Sequence, residues 1–316
     1  MAIDDRCPAF GDDGGGEATA IEDLPTDVLA LVLRRLDGAS LAALGCASST
    51  FHDLATDPDA WRALCLALCP SVRDVVRDGD GAKGAHRQLF ADAFPFPSPA
   101  VSPSSAVPRC GLPTRLVSAV DLHHRGACIM SRVVETDASG WFLGSPFRVD
   151  ALVQEGFSAP TSIAPAELAL SWVLIDPASG RAVNASSRRP VCVDRRWLTG
   201  EAVVRFAVVL GDVVLDAAVT CDERYGHVRE VSLCMEDGEG GGVSGRDGLA
   251  VVAAAMAGAR QGRGAEEAAR LRYQEFVKGR TDRKKRKARR EGIIDLCCSV
   301  VGAAAFLGFL LMLTFR

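Results

Sequence analysis

Apolar residues in the first quarter of the chain repeat at the spacing of short amphipathic helices. Between positions 24 and 36, Leu and Val recur three and four residues apart, which places them on one side of a helix. Asp37-Gly38 is expected to end this helix, and Ser48 and Asp57-Pro58 are typical of the starts of later ones. The pattern predicts four short helices between residues 21 and 70 and another over 86–94.

The middle of the chain has the pattern of β-strands instead. Turn signals rich in Gly, Asp and Pro separate runs of β-branched and other apolar residues. These runs span 116–122, 127–136, 171–176, 201–210, 213–221 and 227–235. Their spacing favours an antiparallel sandwich or barrel-like domain. After a glycine-rich loop at 238–248, a helix is predicted from Leu249 onwards, with a break around 258–264.

The last segment has the length and apolarity of a membrane span. Leu296 to Phe315 is twenty residues without a charge, which as a helix matches the hydrocarbon core of a bilayer, roughly 30 Å thick. Residues 283–290 directly before it carry seven bases in eight positions. Because basic flanks stay on the cytoplasmic side, we expect a single C-terminal membrane anchor with the bulk of the chain in the cytosol.

Two alternatives remain open for this tail. The basic run could be a nuclear import signal of a protein of the nucleus and cytoplasm, and the apolar helix could pack against the strand-rich domain. Cys297 and Cys298 at the membrane edge are candidates for palmitoylation or simply face lipid.

These patterns together predict an α+β protein with a small helical module, an antiparallel β-rich domain and a C-terminal hydrophobic helix. The expected divisions are an acidic tail (1–20), a helical module with its extension (21–94), a Pro/Ser linker (95–109), the β-rich domain (110–262), a basic helix (263–292) and the spanning tail (293–316).

Composition and motifs narrow the classes of function. Lys and Arg number 36 against 40 acidic residues, a net charge of −4, which argues against a nucleic-acid-coating protein. The eleven cysteines contain no CxxC pair, so we expect reduced thiols and neither a metal site nor a cofactor. With no GxSxG or HExxH motif in the sequence, we expect no catalytic activity.

The helical module resembles the F-box motif over residues 22–64. The resemblance rests on Leu24-Pro25, Leu36-Asp37 and the closing Asp57-Pro58-Asp59-Ala60-Trp61; where the family usually has Trp, this chain has Phe51. It implies docking to a Skp-type adaptor that connects the chain to a cullin ubiquitin ligase. The implied adaptor contacts are Leu24, Pro25, Val28, Leu29 and Leu36, and the implied module core is Leu41, Cys46, Phe51, Leu54 and Trp61, with Phe51 and Trp61 as internal packing.

Most of the remaining chain is similar to a plant F-box family with a β-rich C-terminal region. Residues 139–150, 170–177, 186–193 and 197–207 carry this similarity, which implies that the β-rich region selects a target protein. The candidate substrate or ligand residues are Trp141, Trp172, Arg188, Arg189 and Trp197.

A looser similarity to phloem-lectin-type F-box proteins suggests an alternative: a membrane-tethered carbohydrate-binding module without a ligase role. Its tryptophans would stack on sugars, although packing in the core or at an edge is the favoured interpretation for all three. Arg188-Arg189 and Arg195-Arg196 could form an anion-binding or substrate patch, or a solvated loop.

Overall fold

The structure is a computed structural model that describes residues 21, 24–76, 84–100, 111–153, 156–159, 161–222, 224–262 and 264–315. The predicted acidic tail and most of the predicted Pro/Ser linker lie outside these residues. The chain divides into two compact units, Met1–Ala60 and Trp61–Arg316.

The described part of the first unit is helical. It contains α1 (Thr26–Leu33), α2 (Gly38–Leu44), α3 (Ser49–Ala55) and the first turn of α4 (Pro58–Leu68). Ser48 caps α3 as predicted, since its hydroxyl accepts a hydrogen bond from the Phe51 amide at 3.4 Å. Asp37 has a different role from the predicted one, because α1 already ends at Leu33. The Asp37 carboxylate caps α2 by accepting from the Ser40 amide at 2.7 Å.

The second unit holds two antiparallel sheets. The four-stranded sheet has the order β2-β1-β5-β6, and the six-stranded sheet has the order β3-β10-β9-β8-β7 with β4 paired to β10. Their bounds are β1 Arg115–His124, β2 Ala127–Asp137, β3 Arg148–Leu152, β4 Phe157–Ser158, β5 Leu168–Asp176, β6 Arg181–Asn184, β7 Cys192–Arg195, β8 Ala202–Leu210, β9 Val213–Asp222 and β10 His227–Asp237. The helices are the remainder of α4, α5 Val72–Val75, α6 Ala85–Ala93, α7 Gly140–Gly144, a 3-10 turn at Pro165–Glu167, α8 Gly245–Ala257 and α9 Ala265–Thr314.

All six strands predicted from the apolar runs are confirmed as β1, β2, β5, β8, β9 and β10, and the helix break before residue 265 is confirmed as well. The elements that the sequence missed are β3, β4, β6, β7, α5, α7 and the 3-10 turn. None of them exceeds five residues, which is too short for a period to be recognised.

The two sheets and α8 share one hydrophobic core. Its largest fully buried side chains include Trp172, Phe147 and Phe206. Strand β1 is buried on both faces. Leu116 and Val120 point into the shared core, whereas Val117 and Ala119 belong to a second cluster.

That second cluster shows where the helical extension belongs. It joins the outer face of the four-stranded sheet to Cys65 and Cys69 of α4 and to Leu89 of α6. The described residues of 61–94 are therefore part of the β-rich unit. The two compact units divide between Ala60 and Trp61, whereas the predicted boundary lies in the Pro/Ser segment, most of which is outside the described residues.

Polar contacts reinforce this arrangement. The buried Asp92 carboxylate of α6 accepts from Nε of Arg181 at 2.7 Å and lies 3.8 Å from the Arg260 guanidinium, which follows α8. The first described residues of the predicted linker also pack here: Phe96 is buried, and its carbonyl accepts from the Gln261 amide at 2.8 Å.

The first part of α9 lies on the outer face of the six-stranded sheet. Tyr273 and Phe276 pack against Val191, Ala207 and Val214. Further along α9, Arg280 pairs with Glu236 at 2.6 Å and Arg283 donates to the carbonyl of Gly238 at 2.7 Å. Beyond this point every described residue of α9 is exposed.

Candidate functional site

Helix α1 carries apolar side chains on two sides. On one side Leu29 and Leu33 are buried within the first unit. On the other side lie Leu24, just before the helix, Val28, Leu31 and Val32, which retain 43 to 64% of their exposure. We call these four residues the outer α1 surface.

The outer α1 surface is a continuous stripe held on a defined helix start. Its residues follow one another at the four- and seven-residue spacings of one helix side. The Pro25 carbonyl accepts from the amides of Val28 at 2.9 Å and Leu29 at 3.1 Å, so the first turn is formed directly after the proline. Four large apolar side chains are thus presented together to solvent, which is typical of a protein contact surface.

The structure separates the predicted adaptor contacts into three groups. Leu24, Pro25 and Val28 are exposed, and Leu36 is half-buried. Leu29 is only 3% exposed, because its side chain points into the module, and its role as an adaptor contact stays a prediction. Leu31 and Val32 are exposed on the outer α1 surface but were not among the predicted contacts, although Val32 follows Val28 at a four-residue spacing.

The predicted module core is mostly in place. Leu41 and Phe51 are buried and Leu54 is half-buried. Cys46 is exposed, because it lies beyond the last turn of α2 with its thiol donating to the Ala42 carbonyl at 3.5 Å; its assignment to the core is wrong.

Trp61 is buried in the second unit. Its ring meets Phe90 of α6 edge-on with centroids 5.3 Å apart, and the Arg87 guanidinium lies 5.8 Å from the ring centre. The aromatic residue that closes the motif therefore fastens α4 to α6, which agrees with its prediction as internal packing.

The three candidate ligand-binding tryptophans have different environments. Trp172 is completely buried between the sheets and cannot stack on a ligand. Trp141 on α7 is 81% exposed and Trp197 in the β7–β8 loop is 88% exposed. The favoured interpretation, packing in the core or at an edge, agrees with the burial of Trp172 but not with the exposure of Trp141 and Trp197.

Arg188 makes contacts within the chain, and its role in binding a substrate stays a prediction. Its guanidinium donates to the Phe94 carbonyl at 2.5 Å and lies over the rings of Phe94 and Phe96, 5.4 and 5.6 Å from their centres. Burial lowers the pKa of this guanidinium from its usual value. Arg189 is exposed and lies 3.5 Å from Glu266.

The apolar half of α9 packs against no other part of the described chain. One 18-residue window of this helix has high mean hydropathy and is 0% buried. The helix is long and apolar enough to cross a membrane by length and composition. The alternative in which it packs against the β-rich domain is not the arrangement observed.

Cys65 of α4 and Cys69 just after this helix are buried free thiols. Burial raises the pKa of Cys65 to about 12, so this thiol is protonated and unreactive at physiological pH. No group of three or more His, Cys, Asp or Glu side chains that could hold a metal ion occurs among the residues that the structure places.

Sequence comparisons assign both the helical module and the whole chain to a protein family. The F-box-like family profile matches residues 21–67, which cover α1 to α3 and nearly all of α4. Relatives of this class match almost end to end, and the chain belongs to the F-box protein family. F-box proteins are generally non-catalytic, substrate-recruiting subunits of SCF ubiquitin ligases.

Three Arabidopsis thaliana proteins illustrate the similarity. The chain is 38% identical over 300 residues to "Probable F-box protein At2g36090", covering 90% of this chain and 89% of the relative. It is 36% identical to "F-box protein At2g27310" (91% and 94% covered) and 36% identical to "F-box protein At3g44326" (94% and 91% covered). No solved structure matches the chain.

Proposed function

We propose that this chain recruits target proteins to a cullin ubiquitin ligase by binding a Skp-type adaptor through residues 22–64. The observation that carries the proposal is the outer α1 surface, a stripe of apolar side chains left exposed by a module that buries Leu29 and Leu33 from the same helix. The adaptor would cover Leu24, Val28, Leu31 and Val32 and would itself contact the cullin. Apolar burial of this kind is the main favourable term in protein association.

Co-precipitation of the full chain with the adaptor tests this contact. Val28→Asp combined with Leu31→Asp places two charges on the outer α1 surface, and we expect adaptor binding to be lost. Leu198→Asp is the matched control, since Leu198 is also an exposed leucine but lies in the second unit. Adaptor binding that survives the double substitution would refute the proposal.

The β-rich unit would select the target protein. Supporting this, its interior is filled by its own side chains, with Trp172 inside the shared core, while Trp197 projects into solvent. The burial of Trp172 removes one of the three rings on which the carbohydrate-binding alternative depends, so we propose a protein target.

The C-terminal half of α9 would anchor the complex to a membrane. Leu296 to Phe315 contains no charge, and its helical part, which ends at Thr314, is long enough to span the hydrocarbon thickness of a bilayer. The exposed bases of 283–290 would lie on the cytosolic side and attract anionic lipid. Tethering would raise the local concentration of membrane-proximal targets without any additional contact.

Carbonate extraction of membranes tests the anchor. We expect the full chain to remain in the membrane pellet and a version ending at Glu291, which retains the basic run, to be released. Recovery of the full chain in the carbonate supernatant would contradict the anchor, and its recovery in the soluble nuclear fraction would favour the import-signal alternative.

A further inference from the structure

Two exposed connections lie side by side at one end of the six-stranded sheet. The register pairs Arg195 with Ala202, Ala202 with Cys221, and Asp222 with His227. The β7–β8 loop (196–201) and the β9–β10 turn around Tyr225 are therefore neighbours, although they are about 25 residues apart in sequence.

This end of the sheet carries large exposed apolar side chains. Trp197, Leu198 and Tyr225 are each at least three-quarters exposed, and we call these three residues the aromatic rim. The Asp222 carboxylate accepts from the backbone amides of Arg224 at 3.0 Å and Tyr225 at 3.4 Å, which ties these two residues to the end of β9. Gly226 has φ +62°, and a Cβ there would meet the Thr161 carbonyl oxygen at 2.5 Å.

A cavity of about 370 Å³ lies at the same end of the sheet. It is lined by Val153, Arg196, Glu201, Thr220, His227, Arg229 and Glu230. The buried Glu201 carboxylate lies 2.9 Å from Arg229 and 3.5 Å from Arg196, and Arg196 also lies 3.9 Å from Glu230. Each arginine is thus paired with a carboxylate of the chain, but both arginine side chains remain more than half exposed and keep guanidinium N–H groups open to a ligand.

Helix α9 leaves this end of the sheet open. The helix contacts Gly238, just after the end of β10, whereas the cavity is lined by His227 at the beginning of β10. If the C-terminal end of α9 is held in a membrane, the membrane would therefore lie beyond the opposite end of the strands. The aromatic rim and the cavity remain accessible to a cytosolic partner.

We propose that the aromatic rim and the arginine-edged cavity dock an acidic peptide segment with an apolar anchor residue, presented by a target protein. Carboxylates of the peptide would pair with Arg196 and Arg229, because charge-assisted hydrogen bonds to guanidinium are strong and directional. The anchor side chain would pack on Trp197 and Tyr225. Trp, Tyr and Arg are also the residue types that contribute most often to interface hot spots. This inference deepens the proposed function by naming where the target binds.

Selection from a displayed library of random 12-residue peptides tests the site, with the full chain in detergent micelles and bound to the adaptor as bait. We expect enriched peptides to contain several Asp or Glu residues and one Leu, Phe or Trp. Binding of a synthetic enriched peptide should weaken at least tenfold in Trp197→Ser, and because this side chain is 88% exposed, thermal unfolding should remain at the wild-type temperature. Arg229→Gln should also weaken binding while leaving Arg196 to pair with the buried Glu201, and its unfolding temperature is measured beside its affinity.

Two matched controls lie elsewhere on the second unit. Trp141→Ser removes an equally exposed tryptophan on α7, and Arg246→Glu reverses an exposed charge near the start of α8; both should bind the peptide like the wild type. No enrichment, enrichment of basic peptides, or an equal loss in the Trp141→Ser control would overturn the proposal. Adaptor binding is recorded on the same samples. If the full chain binds the adaptor but selects no peptide, the peptide site alone is refuted. If the full chain does not bind the adaptor, the proposed function is refuted.

Discussion

Leu31 and Leu33 allow the adaptor contact to be separated from the stability of the module. They lie two residues apart on α1, and truncation to alanine is the same chemical change at both. Leu31 is 64% exposed and Leu33 is 4% exposed. We expect Leu31→Ala to reduce adaptor affinity with little effect on folding, and Leu33→Ala to destabilise the module.

The magnitudes follow from burial. Full burial of a leucine side chain contributes about 1.5–3 kcal/mol. The adaptor can cover only the part of the Leu31 side chain that is still exposed, about two-thirds of it. Removing this side chain should therefore cost about 1–2 kcal/mol of binding free energy, or roughly a 5- to 30-fold rise in Kd. Leu33→Ala leaves a cavity in the module and should cost about 2–5 kcal/mol of unfolding free energy.

Isothermal titration of the full chain with the adaptor gives the first quantity, and thermal unfolding monitored by circular dichroism gives the second. If Leu31→Ala lowers the unfolding temperature as far as Leu33→Ala while adaptor affinity is unchanged, the assignment of the outer α1 surface is refuted.

Three further predictions concern packing and protonation. Gly45→Ala should destabilise the first unit by about 1–3 kcal/mol, since a Cβ at this position would lie 3.0 Å from the Cβ of Ala55; an unchanged unfolding temperature would contradict this close approach. Asp92→Ala should cost about 3 kcal/mol in denaturant unfolding because it leaves the largely buried Arg260 guanidinium and the partly exposed Arg181 guanidinium without their carboxylate. Wild-type stability of this variant would show that these ion pairs contribute little. In maleimide labelling at pH 8, the exposed Cys46 thiol should react in the folded protein. Cys65 should react only after unfolding, because burial raises its pKa to about 12. Fast labelling of Cys65 in the native state would disprove its protonation.

The long elements could be predicted from sequence because each repeats its pattern several times. β1, β2, β8, β9 and β10 have nine to eleven residues each, enough for β-branched runs and flanking turns to be recognised. The uncharged segment of α9 was equally easy to recognise from the sequence. Short elements such as α7 carry no such repeat, and Trp141 therefore could not be assigned to a helix.

The site was only partly predictable. Helical spacing identified α1 as apolar but could not say which side is covered, because Leu29 and Leu31 are equally hydrophobic. The same limit applies to Trp172 and Trp197, one buried and one exposed, and to Arg188, whose guanidinium is bound by Phe94 from a distant part of the chain.

The sequence by itself determined the class of protein through the resemblance of residues 22–64 to the F-box motif. It also determined the long strands and the apolar tail, since local periodicity and composition depend only on neighbouring residues. Tertiary structure alone decided that the helices after Ala60 cover the four-stranded sheet and that the β7–β8 loop meets the β9–β10 turn. Both arrangements arise from contacts between residues far apart in the chain, and burial at each position depends on which partner arrives there.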